Sequence, residues 1–483
     1  MTDSLKQKTI KGVSWSFVEQ ILTRAANFVI GIVLARLLSP TEFGLVGMIS
    51  VFIAFSQIFI DGGLSSALIR EKNPEEKDFS TVFIINLGMS ILFYFILFFL
   101  SQPIADFYGQ PILRSFLRII ALTLIISSFG SIHNTLLTIR VDFKTQSVIS
   151  VVTAVVSGAI GIIYALRGYG VWALAAQSLS ATIVCTLLLL LLVRWVPRTG
   201  FSADSFRRLF SYSSKLLTSN VIRVIYDNAY PIVIGKKFSA ASLGQYSQAC
   251  KYPGVANATI TSALNRVAFP ILSQIQDDDR RLIEVYEKYI ELSCFVIFPV
   301  LLGLCGCARP FVHFLLTDKW LECVPLMQII CFSLLANCVT NINLNLLYVK
   351  GRSDLVLRLE IVKKTIAFAI LFITMFFGLK AICLGQLIFS FIDFGLNTIY
   401  TRKILNYGLL PQLRSMAPYF FCSLIVLAES LVFSQFVTPA WLALLVSLVV
   451  CPVSYWLLTK AARLYANKEM KDLFVQKIRK RNN

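Results

Sequence analysis

The sequence predicts an all-α protein that crosses a membrane many times. Of its 483 residues, 57% are hydrophobic and only 15% are charged, and the mean hydropathy is +0.73. Soluble domains carry about 25% charged residues, so the composition excludes a water-soluble fold. Apolar stretches of about 20 residues, the length that spans a bilayer as an α-helix, recur along the whole chain.

Fourteen such stretches are predicted to be transmembrane helices. Their centres lie near Asn27, Phe52, Ser90, Ile125, Ser157, Thr182, Ile225, Val255, Pro299, Leu335, Ala369, Ser390, Leu424 and Ser447. The seventh and eighth stretches are weaker than the others because they contain polar side chains. The first stretch is longer than the apolar core of a signal peptide and precedes no small-residue cleavage pattern, so we expect it to be retained.

Short connectors join the predicted helices, and the longest connector divides the chain. It runs from Arg194 to Phe210 and contains Pro197 and Gly200, residue types that are typical of loops. The expected organisation is an N-terminal lobe of six helices over 1–205 and a C-terminal lobe of six helices over 206–410. Two appended helices over 411–461 and a basic cytoplasmic tail over 462–483 follow.

Lysine and arginine are distributed unevenly between the two sides of this topology. With the N-terminus inside, the inner connectors and both termini hold 32 of the 45 basic residues, and the outer connectors hold seven. Cytoplasmic loops of membrane proteins are enriched in these residues, so both termini are predicted to be cytoplasmic. The net charge of +19 then reflects contact with anionic lipid headgroups, and no nucleic-acid partner is expected.

Three short segments recur about 200 residues apart and in the same order. The segment Ile32–Gly44 (IVLARLLSPTEFG) aligns without gaps on Ile232–Gly244 (IVIGKKFSAASLG), SSALIR recurs as TSALNR, and LLTIR recurs as LLYVK. Duplication of an even number of helices keeps both copies in the same orientation. We therefore expect two six-helix lobes that are related by a pseudo-twofold axis along the membrane normal and that enclose a cavity.

Polar residues concentrate on single faces of the first, second, seventh and eighth predicted helices. In the first helix, Ser16, Gln20, Thr23, Arg24 and Asn27 recur at intervals of three and four, which places them on one side. A charge at the bilayer centre costs roughly 2.5–3.5 kcal/mol on insertion scales, and such residues usually face a polar interior. These faces are therefore predicted to line the cavity.

Six basic residues lie within or at the ends of predicted helices: Arg24, Arg118, Arg223, Lys251, Arg266 and Arg309. A column of cations in a cavity predicts an anionic cargo. The candidate substrate-binding residues are Arg24, Arg223, Lys251, Arg266, Gln20, Asn27, Asn220 and Asn257. The candidate gating or ion-coupling residues are Glu19, Asp61, Asp227 and Asp393.

Some of these candidates have an alternative, structural interpretation. Arg24 could bond to a neighbouring helix instead of a ligand. Arg223 and Asp227 are four residues apart, so they could form an ion pair along one helix or act as a gate. Asp393, with Asn397 one turn further on, is a candidate proton or sodium site.

Motifs of enzymes and cofactor-binding proteins are missing from the sequence. It contains no Walker loop, no Gly-rich nucleotide fingerprint and no nucleophile motif, so neither an enzymatic activity nor a cofactor is predicted. Nearly all of the 11 cysteines lie in predicted helices and lack metal-ligand spacing, so neither a metal site nor a disulfide is expected.

The N-terminal sequence KGVSWSFVEQILTRAANFVIGIVLARLLSPTEFGLVGMISVF and the later LLYVKGRSD carry a family resemblance. Together with the plan of fourteen helices, they resemble the bacterial polysaccharide transport family. Its members are the Wzx-type flippases of the multidrug/oligosaccharidyl-lipid/polysaccharide (MOP) exporter superfamily. The resemblance covers nearly the whole chain.

This resemblance implies a flippase of the bacterial inner membrane. Its cargo would be a polyprenyl-pyrophosphate-linked oligosaccharide for O-antigen, capsule or exopolysaccharide, moved from the cytoplasmic to the periplasmic leaflet by alternating access. Guanidinium and ammonium groups are suited to the pyrophosphate. The implied partners are the lipid-linked oligosaccharide and membrane lipids, with polysaccharide polymerase machinery as a further candidate. A multidrug or other lipid exporter of the same superfamily is the alternative.

Overall fold

A computed structural model describes residues 22–467 of the protein, and this part of the chain is α-helical. Helix α1 is described over residues 22–37. The next eight helices are α2 (Pro40–Asp61), α3 (Leu64–Arg70), α4 (Glu76–Tyr108), α5 (Ile112–Ile120), α6 (Leu122–Ile139), α7 (Phe143–Leu166), α8 (Val171–Val193) and α9 (Ala203–Lys237). They are followed by α10 (Ala240–Gln274), α11 (Asp279–Gly306), α12 (Ala308–Leu315), a 3-10 turn (Asp318–Trp320), α13 (Cys323–Val349), α14 (Ser353–Thr374), α15 (Leu379–Leu405), α16 (Leu409–Phe436) and α17 (Ala440–Ala461).

The predicted all-α membrane class is confirmed. Each of the fourteen predicted centres lies in a separate described helix. Between residues 22 and 467, ten helical segments are long and apolar enough to cross a membrane. Helices α9, α10 and α14 are not among the ten because polar and charged side chains interrupt them, and α1 is described only in part. The number of fourteen spans stays a prediction.

Contacts divide the chain into two compact units, Met1–Gly244 and Gln245–Asn483. The first unit includes α9. The predicted linker, Arg194 to Phe210, is wrong in its second half, because α9 begins at Ala203. The linker is held on the start of α4 by two hydrogen bonds. Trp195 Nε1 donates to Glu76 Oε1 at 3.1 Å, and the Ser202 amide donates to Thr81 Oγ1 at 3.1 Å.

An ion pair also joins α9 to the start of α4. Arg208 Nη2 lies 2.6 Å from Oδ1 of Asp78, whose side chain is completely buried. These contacts explain why α9 packs with the helices before it. The predicted boundary between residues 205 and 206 separates the two copies of the predicted repeat, not the two compact units. It stays a prediction.

The N-terminal turns of α2 and α10 meet within the first unit in a reciprocal contact. A Cβ atom built on Gly44 would lie 1.7 Å from the Ala240 carbonyl oxygen, and one built on Gly244 would lie 1.9 Å from the Pro40 carbonyl oxygen. The predicted repeat pairs Gly44 with Gly244 and Pro40 with Ala240. The two close approaches are therefore reciprocal under that pairing, and the duplication itself stays a prediction.

Two glycines connect α2 to α3. Gly62 and Gly63 have φ values of 54° and 77°, a left-handed conformation that glycine adopts without steric cost. The Gly62 amide donates to Ile58 O at 2.8 Å and caps α2. The resulting turn lies directly after Asp61 and fixes the position of that carboxylate relative to α3.

The second unit is packed around α11, α13, α15 and α16, with fully buried Leu282, Ile290 and Leu346 among its core residues. The appended helices are an integral part of this unit. On α16, Tyr419 is 1% exposed and donates to Glu291 Oε2 of α11 at 3.1 Å. Phe420 stacks edge-on against Phe298.

Candidate functional site

Helix α1 presents Arg24 and Asn27 on an exposed face. Both side chains are exposed, whereas Ile30 and Leu34, further along the same helix, are buried and belong to an apolar cluster with Ala173 of α8. These apolar residues fix the C-terminal half of α1 in the unit. Glu19 and Gln20 of the same predicted face lie outside the described residues.

Helix α9 carries a second polar face in the same unit. Arg223 and Asp227 are exposed and Asn220 is partly exposed. Arg223 Nη2 donates to Asn220 Oδ1 at 3.3 Å and forms no ion pair with Asp227. Of the two arrangements considered for this pair, the structure therefore does not contain the ion pair along the helix.

Helix α10 of the second unit carries the remaining predicted ligands, in three different environments. Lys251 is partly exposed, with its Nζ 5.8 Å from the centre of the Tyr252 ring. Arg266 is exposed. Asn257 is only 7% exposed and donates to Asn337 Oδ1 of α13 at 3.2 Å. The amide of Asn257 thus already stabilises the packing of α10 on α13.

Another intramembrane cation, Arg118, bonds within the first unit. Its Nε donates to Ser101 Oγ at 2.8 Å, and its guanidinium carbon lies 4.0 Å from the centre of the Phe98 ring. Cation–π contacts of this kind are stabilising by about 0.5–2 kcal/mol. Arg118 therefore joins α5 to α4.

Asp393 on α15 lies in a buried charge cluster. Lys363 Nζ of α14 is 2.8 Å from Asp393 Oδ1 and 2.8 Å from Glu360 Oε1, and Asn397 Nδ2 donates to Asp393 Oδ1 at 3.0 Å. An ammonium group therefore already balances the carboxylate, and a sodium ion at this position would have to displace it.

The partner of Asp393 was not found from the sequence. The charge count assigns Lys363 to a cytoplasmic connector, but the residue lies inside α14 and is 6% exposed. Its position three residues after Glu360 is the available signal, because residues at that spacing share a helix face. The sequence gives no indication that this face meets Asp393.

Asp61 lies at the end of α2 and accepts a hydrogen bond from Ser65 Oγ of α3 at 2.5 Å. Together with Gln57 it lines a cavity of about 950 Å³ in the first unit, between α2, α3, α4, α6, α7 and α8. The sequence analysis named Asp61 and a polar face on this second helix, but it missed the other polar residues that line the cavity. On α6 they are Ser127, Ser131, Asn134 and Thr138, whose intervals of three and four were the available signal.

The described residues therefore provide exposed cations on α1, α9 and α10 and a separate polar cavity. Within residues 22–467 no group of three or more His, Cys, Asp or Glu side chains is arranged to hold a metal ion. Exposed guanidinium and ammonium groups on otherwise apolar helices can bind phosphate oxygens through charge-assisted hydrogen bonds.

Comparison with known proteins places the chain in a family. The family model "Polysaccharide biosynthesis protein" matches residues 33–325, which is more than half of the chain. The succinoglycan biosynthesis transport protein ExoT of Rhizobium meliloti (strain 1021) is 28% identical over 354 residues, covering 73% of this chain and 71% of the relative. The lipopolysaccharide biosynthesis protein WzxC of Escherichia coli (strain K12) is 26% identical over 458 residues, covering 94% and 88%.

Solved structures show the same fold. The lipid II flippase MurJ in an inward closed conformation superposes with a TM-score of 0.73 at 14% identity, covering 94% of this chain and 98% of that one. An inward-facing multidrug resistance MATE family transporter of the MOP superfamily superposes with a TM-score of 0.58 at 15% identity, covering 81% and 98%. The fold is that of these two transporters, and the family match confirms the resemblance carried by the N-terminal sequence. The chain belongs to the polysaccharide biosynthesis protein family and has the fold of the MOP exporter superfamily.

Proposed function

We propose that the protein is a flippase for a polyprenyl-pyrophosphate-linked oligosaccharide. It moves this lipid from the cytoplasmic to the periplasmic leaflet of the bacterial inner membrane by alternating access, and it supplies O-antigen, capsule or exopolysaccharide assembly. The family match over residues 33–325 carries the proposal, and it is supported by the relatives, one of which is a succinoglycan biosynthesis transport protein and another a lipopolysaccharide biosynthesis protein. Both termini are proposed to be cytoplasmic, on the distribution of basic residues.

The pyrophosphate is proposed to bind the cations of the polar faces. Arg24 and Arg223 are exposed on α1 and α9, and each guanidinium can donate two parallel hydrogen bonds to phosphate oxygens. Lys251 and Arg266 on α10 extend the set. Such groups replace the hydration of a dianionic headgroup, which would otherwise oppose its passage through an apolar membrane.

Amides and carboxylates complete the proposed site. The exposed amide of Asn27 follows Arg24 by three residues, and Asn220 bonds to Arg223. We therefore propose both amides as contacts for the part of the cargo next to its phosphates. Gln20 and Asn257 are proposed in the same role. The proposed gating or coupling residues are Glu19, Asp61, Asp227 and Asp393, and polysaccharide polymerase machinery is the proposed downstream partner.

The test is complementation of a strain that lacks the gene. An Arg24→Ala, Lys251→Ala double variant should reduce surface polysaccharide at least about tenfold and cause the lipid-linked oligosaccharide to accumulate in the cytoplasmic leaflet. Arg167→Ala is the matched control, because Arg167 is an exposed cation in a predicted outer connector. A double variant that inserts at normal abundance and restores wild-type polysaccharide would exclude the cationic site.

The same strain discriminates the alternative of a multidrug exporter. Loss of a drug exporter raises susceptibility to cationic drugs and leaves surface polysaccharide unchanged. Loss of the proposed flippase lowers surface polysaccharide and leaves susceptibility to cationic drugs unchanged. An exporter phenotype in the deletion strain would therefore replace the proposed function by the alternative.

A further inference from the structure

We propose that the cavity of the first unit, between α2, α3, α4, α6, α7 and α8, binds the neutral glycan part of the cargo. This inference rests on the proposed function and deepens it. The cations of α1, α9 and α10 hold the pyrophosphate, whereas this cavity holds the sugars. The two sites thus recognise different chemical parts of one lipid-linked oligosaccharide.

The side chains that line the cavity match the chemistry of sugars. Of the 22 lining residues, 15 carry a hydroxyl, amide or carboxyl group, and none of these described residues is a lysine or arginine. Hydroxyl and amide side chains both donate and accept hydrogen bonds, as sugar hydroxyls do. A phosphate would require cations, so a lining with one carboxylate and no lysine or arginine favours the glycan over the pyrophosphate.

A monovalent cation is a poorer match for the same cavity. Asp61 is the single carboxylate among the described lining residues, and it already accepts a hydrogen bond from Ser65. The volume of about 950 Å³ lies at the upper end of the range of roughly 300–1,000 Å³ for small-molecule sites. It is large enough for a short oligosaccharide and far larger than an ion requires.

Polar stripes of three helices converge on the cavity although the helices are strongly apolar. Windows of 18 residues within the segments Ile112–Ile139, Phe143–Leu166 and Val171–Val193 have mean hydropathies of 1.8, 2.2 and 2.2. On α7 the stripe consists of Gln146, Ser150 and Thr153, and on α8 it includes Thr182 and Thr186. Unpaired polar groups are costly next to lipid, so their convergence on one space indicates that this space is hydrated or filled by a polar ligand.

Several lining groups are held in place and retain capacity for further hydrogen bonds. Gln146 Nε2 donates to Asn134 Oδ1 at 3.1 Å and to Thr138 Oγ1 at 3.0 Å, which connects α6 to α7. Asn86 is 1% exposed and donates to Ser131 Oγ at 3.2 Å. Its Oδ1 receives no hydrogen bond from any residue between 22 and 467.

Buried amides of the second unit bond to one another and to a hydroxyl group. Asn343 Nδ2 donates to Gln412 Oε1 at 3.1 Å, and Gln412 Nε2 donates to Thr401 Oγ1 at 3.1 Å. There the amides bond to one another inside a closed core, whereas in the first unit they surround open volume. The polar side chains of the first unit therefore offer hydrogen-bonding groups to a ligand that these amides of the second unit do not.

Filling the cavity tests the proposal without knowledge of the sugar. Ser150→Trp places an indole in the cavity, and Val155→Trp is the matched control, because Val155 lies on the same helix and its side chain is 55% exposed. A second variant, Asn134→Leu with Gln146→Leu, removes both amides of one hydrogen bond together and leaves neither unpaired. Thermal unfolding in detergent identifies any variant that fails to fold.

Two readouts separate the glycan site from the pyrophosphate site. The first is surface polysaccharide in the complemented deletion strain. The second is binding of sugar-free undecaprenyl pyrophosphate to the purified full-length protein. Ser150→Trp and the double leucine variant should reduce polysaccharide at least about tenfold and change undecaprenyl pyrophosphate affinity less than about twofold. Val155→Trp should change neither quantity.

Each other outcome has a definite meaning. Wild-type polysaccharide with the filled cavity would overturn the glycan site, as would a parallel loss of undecaprenyl pyrophosphate binding in variants that fold normally. If the wild-type protein binds no undecaprenyl pyrophosphate and its deletion leaves surface polysaccharide unchanged, the proposed function itself fails, whatever the variants do.

Discussion

Substitution of Gly44 by alanine is expected to destabilise the protein through one methyl group. The added Cβ would lie 1.7 Å from the Ala240 carbonyl oxygen, 2.4 Å from its carbonyl carbon and 2.9 Å from its Cα. All three atoms belong to the backbone, so no side-chain rotation relieves the clash. Ordinary contact begins at 3.4 Å, and the N-terminal turns of α2 and α10 must therefore separate by about 1.7 Å.

The expected cost follows from the contacts that this separation breaks. A gap of 0.5–1 Å already removes about a quarter to a half of the dispersion energy of each atom pair. Overpacking costs about 1–3 kcal/mol, occasionally more, and we expect about 3 kcal/mol here because backbone has to move. Gly244→Ala should have a similar effect, since its Cβ would lie 1.9 Å from the Pro40 carbonyl oxygen.

The assay is thermal unfolding of the purified protein in detergent, followed by loss of the monodisperse fraction on size-exclusion chromatography. Gly88→Ala is the matched control, because a Cβ on Gly88 in α4 meets nothing within 4 Å. Removing a helical glycine there should stabilise by roughly 0.5–1 kcal/mol. The Gly44→Ala midpoint should lie well below that of both the control and the wild type.

A double variant sharpens the test. Once one methyl group has separated the two turns, the second fits at lower cost, so Gly44→Ala with Gly244→Ala should destabilise less than the sum of the single variants. Unfolding of either single variant at the wild-type midpoint would refute the close approach of the two turns. Strict additivity would show that the two glycines do not share one contact.

Three further predictions concern charge burial and backbone conformation, each checked by the same unfolding assay. Lys363→Met should lower the free energy of unfolding by about 3–5 kcal/mol, because it leaves Asp393 buried without its counter-ion. Adding Asp393→Asn to that variant should restore most of the lost stability. Failure of this double variant to regain stability would contradict the pairing of Lys363 with Asp393. Arg208→Ala should cost about 1.5–3 kcal/mol, the range for hydrogen bonds to charged groups, because Asp78 is fully buried; no change would show that the linker is attached elsewhere. Gly62→Ala should lower the free energy of unfolding by about 1–2 kcal/mol because alanine disfavours the left-handed φ of 54°. The added Cβ causes no clash, since the nearest atom is 3.6 Å away. An unchanged unfolding midpoint would argue against that backbone conformation.

Much of the fold was predictable because helix formation in a membrane depends on local sequence. A run of about 20 apolar residues specifies a helix without reference to its neighbours, and every predicted centre lies in a described helix. The segments that were weak in the sequence, α9 and α10, are also the polar helices of the structure.

The environment of single side chains was less predictable. Asn257 and Asn220 are equally polar positions on long helices, yet one bonds to Asn337 of a neighbouring helix and the other remains partly exposed. Lys363 was assigned to a connector because a lysine without a known partner is expected outside the membrane-spanning segments. Helical periodicity identifies which residues share a face, but it does not identify what that face contacts.

The sequence by itself determined the class and the helices, because these depend on composition and on the length of apolar runs along the chain. Its resemblance to known proteins indicated the family. Only the tertiary structure decided three other features: the attachment of α9 to the first unit, the pairing of Lys363 with Asp393, and the convergence of polar stripes on one cavity. Each of these joins residues far apart in sequence, and such contacts depend on how complete helices pack against one another. Packing is set by the shapes of whole surfaces, which no local pattern encodes.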